Sequence, residues 1–116
     1  MEKYFENNDY YIASIDGIKC KSVEIFLTEI GHAFSFPRYY GKNMDALHDC
    51  LTDLIWIKKD NYLLIINNYE SFLSDDQTIK EEINDFLKEI ADDWINYDGS
   101  DNDESRKKSD FVIIHN

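Results

Sequence analysis

The stretch NYLLIINN, residues 61–68, decides the fold class of this chain. Its apolar run is short, unbroken and bounded by asparagines, which is typical of a strand buried on both faces of a sheet. Strands of that kind occur in parallel sheets, because helices cover both of their faces. We therefore expect a buried, parallel strand here and an α/β fold around it.

Two further strand patterns lie on either side of this one. YYIASID (10–16) alternates loosely, is rich in β-forming residues and is followed by Gly17, which offers a turn. FVIIH (111–115) has the same buried character near the other end of the chain. Helical patterns fill the segments between the strands, so the order of elements is β-α-α-β-α-β. That order predicts a single α/β domain with a small parallel sheet and right-handed crossover connections.

Capping residues mark the limits of the predicted helices. Ser22 is a suitable N-cap for the first helix, and Gly31 is expected to end it. Asn43 can cap the second helix. The third and longest helix is expected to begin at Ser74 or Asp75. Its apolar stripe recurs at helical spacing and consists of Ile79, Ile83, Phe86, Leu87, Ile90 and Trp94.

The second helix is amphipathic. At 100° per residue, Leu47, Cys50 and Leu51 fall on one arc of its helical wheel, whereas Asp45 and Asp49 fall on the opposite arc. Both acids therefore point to solvent or to a partner. They lie one turn apart with no cation beside them, and like charges at that spacing destabilise an isolated helix by a few tenths of a kcal/mol.

Composition restricts the possible functions. The chain has 116 residues and a net charge of −12, and the excess of acids is concentrated in residues 61–104. Such a field repels nucleic-acid phosphate and attracts basic partners, although an acidic surface can also serve solubility alone. No apolar run is long enough to cross a membrane, and the polar N-terminus does not resemble a secretory signal, so we expect a cytoplasmic protein. Cys20 and Cys50 have no metal-site spacing and are expected to be reduced and buried.

Three chemistries could use Asp45 and Asp49. General acid–base catalysis needs a pocket that tunes one of the carboxyl groups, and an exposed pair has none. A metal site that adds His48 would lack a matching His or Cys cluster elsewhere in the sequence. The third is an anionic recognition face, since carboxylates accept bidentate bonds from arginine and the neighbouring Tyr39 and Tyr40 add contact area. On this interpretation the missing cations belong to another molecule, and no cofactor or metal is expected.

The segment FPRYYGKNMDALHDCLTD, residues 36–53, resembles the signature of the barstar family, the intracellular inhibitors of the ribonuclease barnase and their relatives. The pattern Pro-x-Tyr-Tyr-Gly-x-Asn-x-Asp-Ala-Leu-x-Asp-Cys-Leu-Thr is met from Pro37 to Thr52. The likeness extends back through IDG (15–17) and the first helix, and more weakly forward to the closing DFVIIHN.

This resemblance implies a barstar-like three-stranded parallel sheet flanked by helices. It also implies an intracellular immunity protein that blocks the active site of a small basic ribonuclease toxin with the second helix and the loop before it. Carried over by position, Tyr39, Asn43 and Asp45 match contact residues of the family. Asp49 matches the acid that enters the phosphate-binding site, and Gly41 would let the loop backbone approach the enzyme.

The sequence departs from the family pattern at several positions. His48 stands where the family has an interface tryptophan, so an aromatic anchor is lost and a titratable group is gained. The family's interface glutamate on the late helix aligns with Lys88, with Glu89 one step away. Within the single domain 1–116, residues 1–10 form an N-terminal extension and residues 96–109 an acidic loop insertion. The complete set of predicted partner-binding residues is Tyr39, Tyr40, Gly41, Asn43, Asp45, His48, Asp49 and Thr52.

A different class of function stays open beside the inhibitor. An acidic mimic of nucleic acid, or an adaptor for a basic protein that is not a nuclease, would spread its binding over residues 70–104. It would leave the face of the second helix unused. The inhibitor interpretation expects instead a cognate basic ribonuclease as the partner, with no direct nucleic-acid binding, no membrane binding and no catalytic activity.

Overall fold

Three parallel strands form the sheet at the centre of the molecule. The computed structural model describes residues 4–5, 8–97 and 108–116. The strands lie in the spatial order β1-β2-β3, with β1 at Tyr10–Asp16, β2 at Asn61–Asn67 and β3 at Phe111–His115. Both neighbouring pairs are parallel. The predicted α/β fold with a three-stranded parallel sheet is therefore confirmed.

The central strand β2 is buried on both of its faces, as its sequence predicted. Leu63, Leu64 and Ile66 are each 0% exposed. Leu64 and Ile66 pack into the main core with the helices, whereas Leu63 belongs to a smaller cluster on the opposite face. Phe5 and Tyr10 complete that smaller cluster together with Leu63 and its strand neighbours. The predicted N-terminal extension therefore supplies an aromatic side chain that covers the second face of the sheet.

Three α-helices and one 3₁₀ turn connect the strands in the described part of the chain. Helix α1 spans Val23–Ala33, α2 spans Met44–Leu51, the 3₁₀ turn spans Tyr69–Ser71, and α3 spans Gln77–Ile95. The Ser22 hydroxyl caps α1 by accepting a hydrogen bond from the Ile25 N–H group at 3.3 Å. No helix among these is long and apolar enough to cross a membrane.

The predicted end of α1 at Gly31 is wrong, because the helix continues to Ala33. Gly31 lies inside the helix at a point where another side chain packs against its backbone. A Cβ atom at Gly31 would lie 2.8 Å from Cε2 of Tyr40, so the missing side chain makes room for that ring. The left-handed backbone that follows the helix is taken by Ser35, with a φ of 53°.

The predicted start of α3 at Ser74 or Asp75 is also wrong. The N-cap is Asp76, whose carboxylate accepts hydrogen bonds from the N–H groups of Thr78 and Ile79 at 3.1 and 3.2 Å. Two adjacent aspartates offer the same capping chemistry, and only the path of the chain into the helix selects between them.

The two cysteines are free and buried, in agreement with the sequence analysis. Burial raises the pKa of the Cys20 thiol to about 11 and also raises the pKa of Cys50. Because the thiolate is the reactive species, both side chains act as small core residues.

The acidic loop predicted at 96–109 lies mostly outside the described residues. Of its two ends, residues 96–97 follow α3 and residues 108–109 precede β3. The Ser109 N–H group donates to the carbonyl of Trp94 at 3.2 Å, which holds the start of the β3 segment against the end of α3.

Candidate protein-binding site

The site is built on α2, and its first turn is ordered by Asn43. The Asn43 side-chain oxygen accepts a hydrogen bond from the Ala46 N–H group at 2.8 Å. The residue before it, Lys42, has a left-handed backbone with a φ of 54°, so the chain turns sharply into the helix. An N-cap of this type contributes about 1 kcal/mol to the stability of a helix. Asn43 therefore fixes where α2 begins, whether or not a partner also contacts its side chain.

Helix α2 divides its residues between the core and solvent as its sequence predicted. Leu47 and Leu51 are 0% exposed, and Cys50 is 3% exposed. Asp45 and Asp49 are exposed on the other side, and the Asp49 side chain keeps 86% of its surface accessible. Within the described part of the chain, no lysine or arginine lies within ion-pair distance of either carboxylate. The helix thus presents two unneutralised acids on a rigid support.

Two side-chain hydrogen bonds stabilise the C-terminal turn of α2. The Thr52 hydroxyl donates to the carbonyl of His48 at 2.8 Å. The buried indole of Trp94 on α3 donates from Nε1 to the carbonyl of Leu51, also at 2.8 Å. The Thr52 bond closes the last turn locally, whereas the Trp94 bond satisfies a carbonyl that has no partner within the helix and anchors α2 to α3. Trp94 therefore positions α2, although the sequence predicts only that Trp94 belongs to the apolar stripe of α3.

The two neighbouring tyrosines of the loop before α2 lie in different environments. Tyr39 is 74% exposed and available to a partner. Tyr40 is half-buried, its hydroxyl donates to the carbonyl of Leu27 in α1 at 2.8 Å, and its ring packs edge-on against Phe36. Burial raises the pKa of Tyr40 to about 12. Tyr40 therefore holds the loop against α1, and its phenol group already has an acceptor inside the protein.

Helix α3 lies beside α2 and adds a second row of acids. The rings of His48 and Phe86 meet edge to face, with centroids 6.2 Å apart, which identifies the side of α3 that is next to α2. Phe86 lies between Glu82 and Glu89 at four- and three-residue spacing, so the three share that side of the helix. Both glutamates are exposed. We call α2, its preceding loop and this row of α3 the two-helix face.

The side of α3 that faces α2 distinguishes Lys88 from Glu89. Lys88, the position selected by alignment, lines a shallow cleft with Ile113 and His115 of β3, on the other side of α3. Glu89 instead shares the side of Phe86. Of these two positions, Glu89 and not Lys88 therefore lies on the two-helix face.

Two of the chemistries considered from sequence find no geometric support at α2. The carboxylate of Asp49 is almost fully solvated, so the protein supplies no pocket that would tune it for proton transfer. Among the residues that the structure describes, no group of three or more His, Cys, Asp or Glu side chains is placed to hold a metal ion, and this includes Asp45, His48 and Asp49.

Comparison with known proteins agrees with the geometry. The family model described as Barstar (barnase inhibitor) matches residues 10–114. The chain belongs to the barstar family. A relative from Bacillus subtilis (strain 168), named "Putative ribonuclease inhibitor YrdF", is 36% identical over 87 residues, which cover 66% of this chain and 92% of that protein. Barstar-family membership and this relative support a ribonuclease-inhibitor role.

Six of the eight partner-binding residues predicted from sequence lie exposed on or before α2. They are Tyr39, Gly41, Asn43, Asp45, His48 and Asp49. The other two, Tyr40 and Thr52, are half-buried, and their hydroxyl groups bond to backbone carbonyls of this chain. Phe86 and Trp94, which also contact α2, are absent from this set because the sequence places them only in the apolar stripe of α3. Their helical spacing could assign them to the core, but nothing in it indicated that they contact α2.

Proposed function

We propose that this protein is an immunity protein that inhibits a small basic ribonuclease toxin by inserting α2 and the preceding loop into its active site. The observation that carries the proposal is the pair of exposed, unneutralised carboxylates of Asp45 and Asp49 on a helix anchored at both ends. The two carboxylates do not stabilise the free protein, whereas a cationic cleft on another molecule would bind them.

Carboxylates suit a ribonuclease active site because that site binds a phosphodiester. The cations that hold a substrate phosphate can bind a carboxylate instead, and arginine binds it with two parallel hydrogen bonds. On this proposal Asp49 occupies the position of a phosphate, Asp45 binds at the edge of the cleft, and Tyr39 packs on the enzyme surface. RNA is then excluded sterically and electrostatically at once.

Rigidity supports the same proposal. Association costs free energy for every side chain and loop that must be ordered on binding, so a preorganised surface binds more tightly. Here the loop is fixed by the Tyr40–Leu27 hydrogen bond and α2 by the bonds of Asn43 and Trp94. The inhibitor helix therefore has little conformational entropy left to lose.

The proposed partner is basic, and α3 extends the surface that meets it. Glu82 and Glu89 flank Phe86 beside α2, so the two-helix face combines a half-buried aromatic ring with acids around it. A net charge of −12 would also accelerate the encounter with a cationic enzyme.

The test is a stoichiometric inhibition assay. Barnase, and a panel of other small basic bacterial ribonucleases, would be titrated with the purified protein while cleavage of a fluorogenic RNA substrate is followed. We expect inhibition of at least one enzyme at a one-to-one ratio, and loss of that inhibition in Asp49→Ala but not in Asp92→Ala, an exposed aspartate elsewhere on α3. Inhibition that survives Asp49→Ala, or binding that follows the acids of residues 70–104 instead, would favour the acidic mimic or adaptor over the inhibitor helix.

A further inference from the structure

His48 occupies the centre of the two-helix face. It lies one residue before Asp49 on α2, and its Nδ1 atom is 3.8 Å from Oδ1 of that carboxylate. Its ring rests edge-on against Phe86 of α3, and its side chain is 52% exposed. The imidazole therefore touches the acid that the proposed function places in the enzyme's active site.

The charged groups that face His48 come from both helices. From α2 they are Asp49, in contact, and Asp45, three residues earlier and thus on a neighbouring part of the helix surface. From α3 they are Glu82 and Glu89, which share the side of the helix that carries Phe86, the ring that His48 contacts. These four neighbouring groups of the described residues are all acids, and the carbonyl of His48 itself accepts a hydrogen bond from the Thr52 hydroxyl.

We propose that His48 makes target binding proton-linked, because a protonated imidazole beside Asp49 opposes the approach of a partner's cation to that carboxylate. This inference rests on the proposed function. A protonated imidazole 3.8 Å from the carboxylate already supplies a positive charge there. A guanidinium or ammonium group brought to the same carboxylate competes with it and repels it, since like charges at this separation disfavour each other.

Binding of the partner releases the imidazole proton of His48 to solvent. When the imidazole is protonated it forms an ion pair with the Asp49 carboxylate, and on binding the proton passes to solvent while the partner's cation takes its place. Because binding releases a proton, a higher proton concentration opposes binding. Affinity for the partner is therefore expected to be lower at pH 5.5 than at pH 7.5.

The decisive measurement is the change in dissociation constant between pH 7.5 and 5.5 for three proteins against the same ribonuclease. They are the unaltered protein, His48→Gln, and His32→Gln as a control at an exposed histidine of α1. Any histidine of the enzyme affects all three alike, so only the difference between them reports on His48. We expect the unaltered protein and His32→Gln to lose at least fivefold more affinity than His48→Gln, with an upper limit of about tenfold per pH unit for one linked proton.

Calorimetry in two buffers of different ionisation enthalpy supplies the second readout. At pH 6 the unaltered protein should release more protons on binding than His48→Gln does. Equal pH dependence and equal proton release in the two proteins would overturn the role of His48 while leaving the inhibitor intact. Absence of binding at pH 7.5 by the unaltered protein would instead contradict the proposed function, so the two failures are distinguishable.

Discussion

Replacing Asp49 by alanine should weaken ribonuclease binding by about a thousandfold or more. In the free protein its side chain is 86% exposed and has no arginine or lysine partner within the described residues, so its charge is available to the enzyme. A carboxylate about 4 Å from one cation, at an effective dielectric constant of about 20, gains about 4 kcal/mol. That free energy corresponds to about three orders of magnitude in the dissociation constant. Charge pairs at protein interfaces, including those of barnase and barstar themselves, fall in this range.

The same substitution should leave the fold intact. Asp49 lies opposite the buried Leu47 and Leu51, so its removal creates no cavity. The repulsion between Asp45 and Asp49 would also be relieved, which can stabilise α2 by a few tenths of a kcal/mol. A thermal melt followed by tryptophan fluorescence should therefore show an unchanged or slightly raised Tm.

The assay compares Asp49→Ala with Asp92→Ala by surface plasmon resonance on immobilised ribonuclease. Asp92 is exposed on α3, about 120° around the helix from Phe86, and should change affinity by less than about threefold. Equal losses for the two variants would refute the reasoning, because general acidity and not the α2 face would then account for binding.

Four other outcomes are expected. Gly31→Ala should lower the free energy of unfolding by about 1–3 kcal/mol, because the added Cβ displaces the ring of Tyr40. The same displacement should weaken binding. An unchanged urea denaturation curve would contradict this prediction. A Cβ atom at Gly41 would lie 3.1 Å from the amide nitrogen of Asn43 and 4.0 Å from Cβ of Ala46. Gly41→Ala should therefore change stability little, and it should reduce affinity if the enzyme approaches this backbone. Iodoacetamide at pH 8 should label neither Cys20 nor Cys50 in the native protein and both after denaturation, whereas rapid native labelling would disprove their burial. Finally, the association rate should fall steeply between about 50 and 500 mM salt while the dissociation rate changes little, and a flat association rate would exclude electrostatic steering.

Several features of the site could be predicted from residues close together in the chain. The Asn43 cap and the two-sided character of α2 follow from local hydrogen bonding and from the 3.6-residue period. The dense motif between Pro37 and Thr52 indicated the family, and the model match over residues 10–114 agrees with it. Strand β2 could be assigned because burial on both faces leaves an uninterrupted apolar run.

Other features depend on contacts between distant segments, which no local pattern records. Tyr39 and Tyr40 are alike in sequence, yet only Tyr40 meets α1, through the Leu27 carbonyl and the space left by Gly31. Gly31 looked like a helix terminator because a glycine that makes room for a neighbour has the same local signature as one that ends a helix.

The sequence by itself determined the fold class, the anionic face of α2 and the family to which the chain belongs. Only the tertiary structure decided that Phe86 supports His48 and that Glu89, and not Lys88, lies beside α2. A helix period states which residues share a side, but the direction of that side is set by packing against the sheet and against α2. One residue step turns a helix by 100°, so an alignment that is uncertain by one position cannot choose between a glutamate on the binding face and a lysine behind it.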